Sequence, residues 1–327
     1  MRNTSPVVAF PLRAASPSPW RTWVLLPLWV YGLFIFVNLA QYLWMLLAAS
    51  YHGVPFGKVA GGSLKSPAVE LIRGLAGLSL GVPFLAFALR FLGPRGLDWS
   101  VLRFRPRDMA LGAAMASAAI LGLMGILMQA GVATVTGWPG RLPAGSLAAL
   151  VGGKLLWSVF KSALEDILFI GVLARVWAPG RSWRGAALGM GIFFGAIHLL
   201  NILPVLTLQR AVMVMVAGAT FGALLTLLAA RYRSLWVPIG FHAAWNLWLG
   251  TVLGTTLSGQ KGLGGLLVTE LNGPTWLTGD LFGVEASWLS VLVTGAILVW
   301  CARGGTASRG ASQPIEAVST SVSLPHD

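Results

Sequence analysis

Long apolar runs separated by short polar segments make up most of the chain. No stretch alternates polar and apolar residues as a strand does, and no internal repeat or glycine-rich phosphate loop is found. About 20 apolar residues cross the hydrocarbon core of a bilayer as a helix. Eight runs meet or approach that length: 23–48, 68–92, 109–132, 147–176, 185–203, 210–230, 235–254 and 287–302. The pattern predicts an all-α, polytopic membrane protein with about eight transmembrane helices.

Composition supports lipid as the solvent. Of the 327 residues, 56% are hydrophobic and 10% are charged, whereas a soluble domain carries about 25% charged residues. A chain with so few charges cannot cover a water-facing surface of ordinary size. We therefore expect a transmembrane domain over 23–302, flanked by disordered cytoplasmic tails at 1–22 and 303–327, which are rich in Ser and Pro.

The net charge of +13 is interpreted as a topology signal. Cytoplasmic loops carry an excess of Lys and Arg. Alternate connections hold either many basic residues (Arg2, Arg13, Arg21; Arg95, Arg103, Arg105, Arg107; Arg181, Arg184; Arg231, Arg233; Arg303, Arg309) or few (Lys58, Lys65, Arg141, Lys261, with Arg210 at a helix edge). This bias predicts a cell-membrane protein with both termini in the cytoplasm. The basic residues form no patch with interleaved aromatics, so nucleic acid is not expected as a partner. The single cysteine excludes an intrachain disulfide and a cysteine-rich metal site.

Polar side chains follow one face of the fourth predicted helix. Lys154, Ser158, Lys161 and Glu165 are spaced by four, three and four residues, which is the period of a helical face. A carboxylate in hydrocarbon costs several kcal/mol on most estimates, so it needs a partner, a wet cavity or a chemical task. We expect this face to point inward, with Lys161 pairing with Glu165 one turn away.

Two further pairs lie inside predicted helices. Phe194 and His198 are one turn apart in FFGAIH, and His242 and Asn246 are one turn apart in GFHAAWN. At 1.5 Å per residue, Glu165 and His198 lie about 15 and 20 Å from the arginine-rich helix ends. His242 and Asn246 lie about 10 and 16 Å from theirs. The matched depth predicts that the four groups gather in the cytoplasmic half of the membrane.

This set of side chains suits peptide hydrolysis. A glutamate and a histidine sharing one water can remove its proton as it attacks a carbonyl, and a second histidine with an asparagine can donate hydrogen bonds to the oxyanion. Alternatively, Glu165, His198 and His242 could hold a divalent metal such as zinc, with water at the open position. The sequence leaves both mechanisms open.

The three motifs together resemble the CPBP family of intramembrane proteases, which includes the CAAX prenyl endopeptidases and the bacteriocin-processing or self-immunity proteins. The family pattern is EExxxR, then FxxxH, then HxxxN or HxxxD, on separate helices. Here the motifs are EDILFIG from Glu165, Phe194 to His198, and His242 to Asn246, within a core of about 147–254. The resemblance implies that Glu165 and His198 activate water and that His242 and Asn246 polarise the scissile carbonyl. It also implies a cytoplasm-facing cavity open to lipid.

Two positions depart from the family pattern. Asp166 replaces the second glutamate, which keeps the charge and shortens the reach, and Ile170 replaces the arginine. Lys161 could substitute for that cation from one turn earlier. Asp166 points about 100° away from Glu165 on an ideal helix, which favours a packing contact or a bound water for it.

Three functions follow as hypotheses. The first is an intramembrane endopeptidase acting on a membrane-anchored peptide or protein, by CAAX-type or bacteriocin-type processing. The second is a non-catalytic immunity or scaffold protein that binds a membrane peptide in the same cavity. The third is a small transporter with a proton relay through Glu165 and the histidines, although the inverted repeat of such transporters is not found.

Overall fold

The structure, a computed structural model, describes residues 24–51, 53, 67–92, 102–137, 143–177, 183–260 and 265–303. It is 83% helical, so the predicted all-α class is confirmed. Both predicted tails lie outside the described residues, apart from Arg303 at the last helix end.

Eleven α-helices and two short strands follow one another along the described residues. The helices are α1 (Leu26–Tyr51), α2 (Pro67–Ala76), α3 (Val82–Leu92), α4 (Pro106–Gln129), α5 (Ala144–Asp166), α6 (Arg175–Trp177), α7 (Trp183–Leu199), α8 (Leu208–Tyr232), α9 (Trp236–Asn246), α10 (Thr275–Thr278) and α11 (Trp288–Arg303); the strands are β1 (Ala133–Gly137) and β2 (Val268–Leu271). Short 3₁₀ turns cover Leu200–Val205, Asp280–Phe282 and Val284–Ala286.

Helices lie at all eight predicted positions. Three of them are long and apolar enough to cross a membrane: Pro106–Gln129, Trp183–Val205 and Leu208–Tyr232. The first part of α1, Leu26–Ala40, and helix α11, Trp288–Arg303, are shorter apolar helical stretches. The structure therefore bears out three candidate spans by length and composition, and the count of eight stays a prediction.

The expectation of a chain without strands is wrong at one place. β1 and β2 pair antiparallel, with Ala133 opposite Leu271 and Val135 opposite Thr269. Strands of five and four residues are too short for a recognisable period of two. The ladder ties the loop that precedes α11 to the end of α4.

Three α-helices continue without a break into π-helical winding, at Gly77–Gly81, Ile167–Ala174 and Leu247–Val252. The second of these segments begins directly after Asp166 and the third directly after Asn246. π-helical turns are wider than α-helical turns and are rare in proteins. Those that occur are often found at functional sites. The acidic pair of the first motif and the last residue of the third motif therefore lie where the helix changes its winding.

Glycines let the helices that carry the histidines approach their neighbours closely. A Cβ at Gly240 of α9 would collide with the carbonyl oxygen of Met109 in α4, and one at Gly195 of α7 would lie 2.8 Å from the carbonyl oxygen of Met215 in α8. Small residues at such crossings bring backbones together in membrane helices. The close packing fixes α7 and α9 in the helical core.

Candidate active site

The polar face of α5 points inward, as its spacing predicts. Lys154, Ser158 and Glu165 are buried, and Lys161 is partly buried. The ammonium of Lys161 lies 3.9 Å from Oε1 of Glu165. The acid of the first motif thus has a cationic neighbour from its own helix.

His242 lies between two carboxylates. Its Nδ1 is 3.1 Å from Oδ1 of Asp166, and its Nε2 is 3.7 Å from Oε2 of Glu165. Because an ionised carboxylate only accepts hydrogen bonds, the Nδ1–H of the ring donates to Asp166. This bond orients the imidazole, as a carboxylate orients the histidine of a Ser-His-Asp triad. It leaves Nε2 on the side of Glu165.

The contact with His242 gives Asp166 a larger part than sequence reasoning assigned to it. The two acids do point in different directions from the helix, yet the imidazole is wide enough to meet one with each ring nitrogen. The packing contact expected for Asp166 is therefore replaced by a polar contact inside the site. Asp166 is 1% exposed, so this bond is shielded from water.

Asn246 contacts the same helix as the two acids. Its Nδ2 donates to the hydroxyl of Ser162 at 3.3 Å, and both side chains are buried. The bond holds the carboxamide one turn beyond His242, where a second N–H is available to a ligand.

His198 approaches from α7. Its Nδ1 lies 2.7 Å from the carbonyl oxygen of Phe194. A carbonyl oxygen only accepts hydrogen bonds, so Nδ1 carries a proton and Nε2 of the neutral ring is an acceptor. The ring of Phe194 contacts both imidazoles, with its centroid 4.3 Å from His198 and 6.0 Å from His242. Gly222 of α8 makes room for that ring, because a Cβ there would lie 2.6 Å from Cβ of Phe194.

A small cavity of about 30 Å³ joins these groups. That volume admits one or two waters, since a single water needs about 10–15 Å³ on this measure. Helices α7, α8, α9 and α11 and the loop before α11 supply its walls. Its polar lining residues are His198, His242, Asn246, Ser258, Glu285, Ser290 and Thr294. The structure thus brings three of the four predicted groups to one cavity, and the fourth, Glu165, lies behind His242.

Ser258, Phe282 and Glu285 were not singled out from the sequence. They belong to a glycine-rich loop between the helical segments that end at Val252 and begin at Trp288. No spacing rule marks them, because their contribution depends on how the loop folds back. Aromatic contact between Phe282 and His198, with ring centroids 6.2 Å apart, brings the loop to the site.

The loop also supplies part of the cavity wall. The charge pattern assigns the loop to the side opposite the arginine-rich segments, and the resemblance implied a cavity facing those segments. Among the described residues, none of the arginine-rich segments lines the cavity, whereas three residues of the loop do. The expected cytoplasm-facing cavity stays a prediction.

Ile170 stands where the family pattern has arginine. Its side chain is 2% exposed and belongs to the main hydrophobic cluster, with Leu168 and Phe169. The position therefore provides no cation, and Lys161 is the basic residue beside Glu165.

Glu165, His198 and His242 are the residues named for a metal. The Nδ1 atoms of the two imidazoles face Asp166 and a backbone carbonyl, which leaves the Nε2 atoms as the nitrogens that could face a ligand. Within the described part of the chain, no group of three His, Cys, Asp or Glu side chains is arranged to hold a metal ion.

Comparison with protein families agrees with this geometry. Residues 147–248 match the family described as "Type II CAAX prenyl endopeptidase Rce1-like". All four predicted site residues lie within the matched stretch, and Glu285 lies outside it. Searches of curated proteins and of solved structures found no match. The match supports the resemblance drawn from the three motifs: residues 147–248 are similar to the type II CAAX endopeptidases of the CPBP family.

Proposed function

We propose that this protein is an intramembrane endopeptidase of the CAAX type, which hydrolyses a peptide bond in a membrane-anchored peptide or protein. The observation that carries the proposal is the cavity lined by His198, His242 and Asn246, with Asp166 and Glu165 on the two nitrogens of His242. The family match supports endopeptidase chemistry of this general class.

In the proposed mechanism, water is the nucleophile. Glu165, on the Nε2 side of His242, removes a proton from a water held between them as the water oxygen attacks the scissile carbonyl. His242 acts as an imidazolium between the two carboxylates: its Nδ1–H donates to Asp166, and its Nε2–H, together with the free N–H of Asn246, donates a hydrogen bond to the oxyanion that forms. Nε2 of His198 accepts a hydrogen bond from the attacking water and directs its lone pair at the carbonyl carbon.

The proposal includes a place in the membrane. The apolar helices and the family support a membrane protein. We propose eight spans with both termini in the cytoplasm of a cell-membrane protein, because arginine-rich segments alternate with segments poor in basic residues. Prenylated CAAX peptides are the first substrate class to test, and bacteriocin-type leader peptides are the second.

The first experiment measures hydrolysis of a prenylated, fluorescence-quenched CAAX peptide by the purified protein in lipid vesicles. Glu165→Gln and His198→Ala should each lower kcat/KM by at least about 100-fold, which is the range lost with a general base. Glu270→Gln, an exposed acid on β2, is the matched control and should keep parent activity. Equal activity in the parent and the two site variants would remove the catalytic assignment.

A chelator titration tests the metal alternative in the same assay. We propose a mechanism that uses only the side chains and water, because within the described part of the chain no three His, Cys, Asp or Glu side chains are arranged around one point. Activity should then be unchanged after dialysis against EDTA or 1,10-phenanthroline. Loss of activity that zinc restores would contradict this.

A non-catalytic binding protein is the second candidate function. The observation that favours it is Ile170, a buried aliphatic residue where the family pattern has a cation. It predicts that the parent binds the prenylated peptide in vesicles and leaves it intact over many hours, with binding weakened by a bulky substitution at Ala217 in the cavity wall.

A further inference from the structure

Glu285 is an acid in the cavity that the family motifs do not include. It lies in the 3₁₀ turn Val284–Ala286, just before α11. It lines the same cavity of about 30 Å³ as His198, His242 and Asn246. One or two waters can therefore meet Glu285 and the imidazoles together.

The loop holds the Glu285 carboxyl in one orientation. Its Oε1 accepts two hydrogen bonds from Ser258, from the backbone N–H at 2.6 Å and from the hydroxyl at 2.9 Å. Ser258 has a φ of +50°, in the left-handed region that costs a non-glycine residue about 1 kcal/mol or more. Strained residues of this kind persist where the surrounding structure determines them, and they cluster at functional sites.

Neighbouring contacts fix the strained turn. The N–H of Gly259 donates to the carbonyl of Phe282 at 3.0 Å. Gly283, with a φ of +106°, lies so close to Thr256 that a Cβ would collide with its carbonyl oxygen. These contacts join two parts of the loop, 256–259 and 282–285, and the second part carries Glu285.

The hydrogen bonds also decide which oxygen can carry a proton. Both bonds from Ser258 go to Oε1, and Oε2 has no hydrogen-bond partner among the described residues. A protonated carboxyl has one O–H donor, which must then be at Oε2. Burial raises the pKa of the Glu285 carboxyl, and the bonds from Ser258 oppose that rise only in part. The titratable groups that face it are His242 of α9, His198 of α7 and Lys161 of α5.

Peptide hydrolysis requires a proton donor for the leaving group, and in the proposed mechanism His242 is already engaged with Asp166 and the oxyanion. Among the described residues that line the cavity, Glu285 is the carboxylic acid. The amide nitrogen must gain a proton before it leaves as an amine. Glu165 lies behind His242 and is paired with Lys161, while Nε2 of His198 is an acceptor. The carboxamide of Asn246 has no proton to give up.

We propose that Glu285 is a further catalytic residue, the general acid that protonates the leaving amine nitrogen. The proposal rests on the hydrolytic function above. After water has lost one proton to Glu165 and added to the carbonyl carbon, Oε2 of Glu285 transfers its proton to the amide nitrogen. The C–N bond then breaks and the oxyanion returns to a carbonyl, which gives a carboxylic acid and an amine. The proton on Glu165 passes through water to Glu285 and restores both groups.

The test compares two leaving groups. The substrates are the prenylated CAAX peptide and the same peptide with an ester in place of the scissile amide. An alkoxide leaves with much less help from an acid than an amine does. Glu285→Gln should therefore lower kcat on the amide by about 100-fold or more and on the ester by less than about fivefold. Glutamine keeps an oxygen that can accept the bonds from Ser258, so the loop should remain folded.

Further variants separate the possible outcomes. Ser258→Ala removes the hydroxyl bond to Glu285 alone and should lower amide hydrolysis mildly and ester hydrolysis less, because Ser258 acts through Glu285. Equal losses on both substrates in Glu285→Gln, or no loss on the amide, would overturn the general-acid assignment. If Glu285→Gln does not fold, Glu285→Asp is tested for the same difference between amide and ester. If Glu165→Gln abolishes activity that Glu285→Gln retains, only this inference fails, whereas an inactive parent overturns the proposed function and this inference together.

Discussion

Two small cavities meet at Asn246, and their walls differ. The first, of about 30 Å³, holds two imidazoles and Glu285 among aromatic rings. The second, of about 40 Å³, is lined by the charged side chains of Glu70, Arg73, Lys154 and Lys161. Both are lined by helices and by residues of the loop before α11.

The difference lies in how charge is compensated. In the second cavity, Glu70 lies 3.9 Å from Arg73 and 3.8 Å from Lys154, and the guanidinium of Arg73 covers the ring of Trp157 at 4.0 Å. Opposite charges and an aromatic face balance one another there, which ties α2 to α5. In the first cavity, the imidazoles and Glu285 line a space that one or two waters can occupy. Charges that are paired with one another, as in the second cavity, indicate a structural cluster. Polar side chains that line a cavity, as in the first, indicate a binding or catalytic site.

The largest expected effect is that of Asp166→Asn on catalysis. The change removes the charge that orients His242 through Nδ1, and we expect kcat to fall by about 10³-fold. The thermal unfolding midpoint in detergent should shift by only a few degrees, because the side-chain volume is kept. A loss below about tenfold would show that Asp166 is not needed to orient the ring.

The matching change in the second cavity is Glu70→Gln. It leaves Arg73 and Lys154 without their shared anion, and breaking such a buried pair costs about 3–5 kcal/mol of the free energy of unfolding. The kcat for the prenylated peptide should stay within about threefold of the parent in protein that remains folded. A large fall in kcat with unchanged stability would place the second cavity in the reaction.

Ile170→Arg would place a cation near the first cavity, as Arg73 and Lys154 are placed at the second. The family pattern has arginine here, yet Ile170 is packed against apolar neighbours. We expect a loss of about 2.5–3.5 kcal/mol in stability, the insertion cost of an arginine at the helix centre, and no gain in kcat. A more active variant of parent stability would contradict the assignment of the cationic role to Lys161.

The smallest intervention concerns the side from which the cavities are reached. Gln260, in the loop, lines the second cavity and is exposed. Gln260→Cys should react with a membrane-impermeant maleimide on intact cells, and Arg103→Cys should react only after permeabilisation. The native Cys301 is buried, so the parent provides the background. The reverse labelling pattern would overturn the orientation drawn from the arginine bias.

Helix positions and much of the site were predictable from the sequence, because both rest on local periodicity. Apolar runs marked the helices within a few residues, and the spacing of Lys161 and Glu165 predicted their pairing. The partner of Asp166 was not predictable, because it depends on the rotation of α9 against α5. Glycine contacts such as that of Gly240 with Met109 set that rotation, and no pattern within one helix records them.

The loop was the least predictable part. β1 and β2 are about 130 residues apart in the chain and pair over only a few residues. Glu285 lies in the cavity because of two positive-φ turns and a hydrogen bond between distant loop segments. In the sequence, Glu285 is one of several acids in a glycine-rich segment, and no spacing distinguishes it from the others.

Phe194 has a consequence for how this site can evolve. One benzene ring supports both imidazoles, and Gly222 of α8 supports that ring. A single added methyl group at Gly222 would displace Phe194 and, with it, both histidines. The residues of α8 that line the cavity, Ala217, Gly218 and Phe221, have no polar side chain. Selection on catalysis would therefore act on an inert glycine as strictly as on the acids and imidazoles themselves.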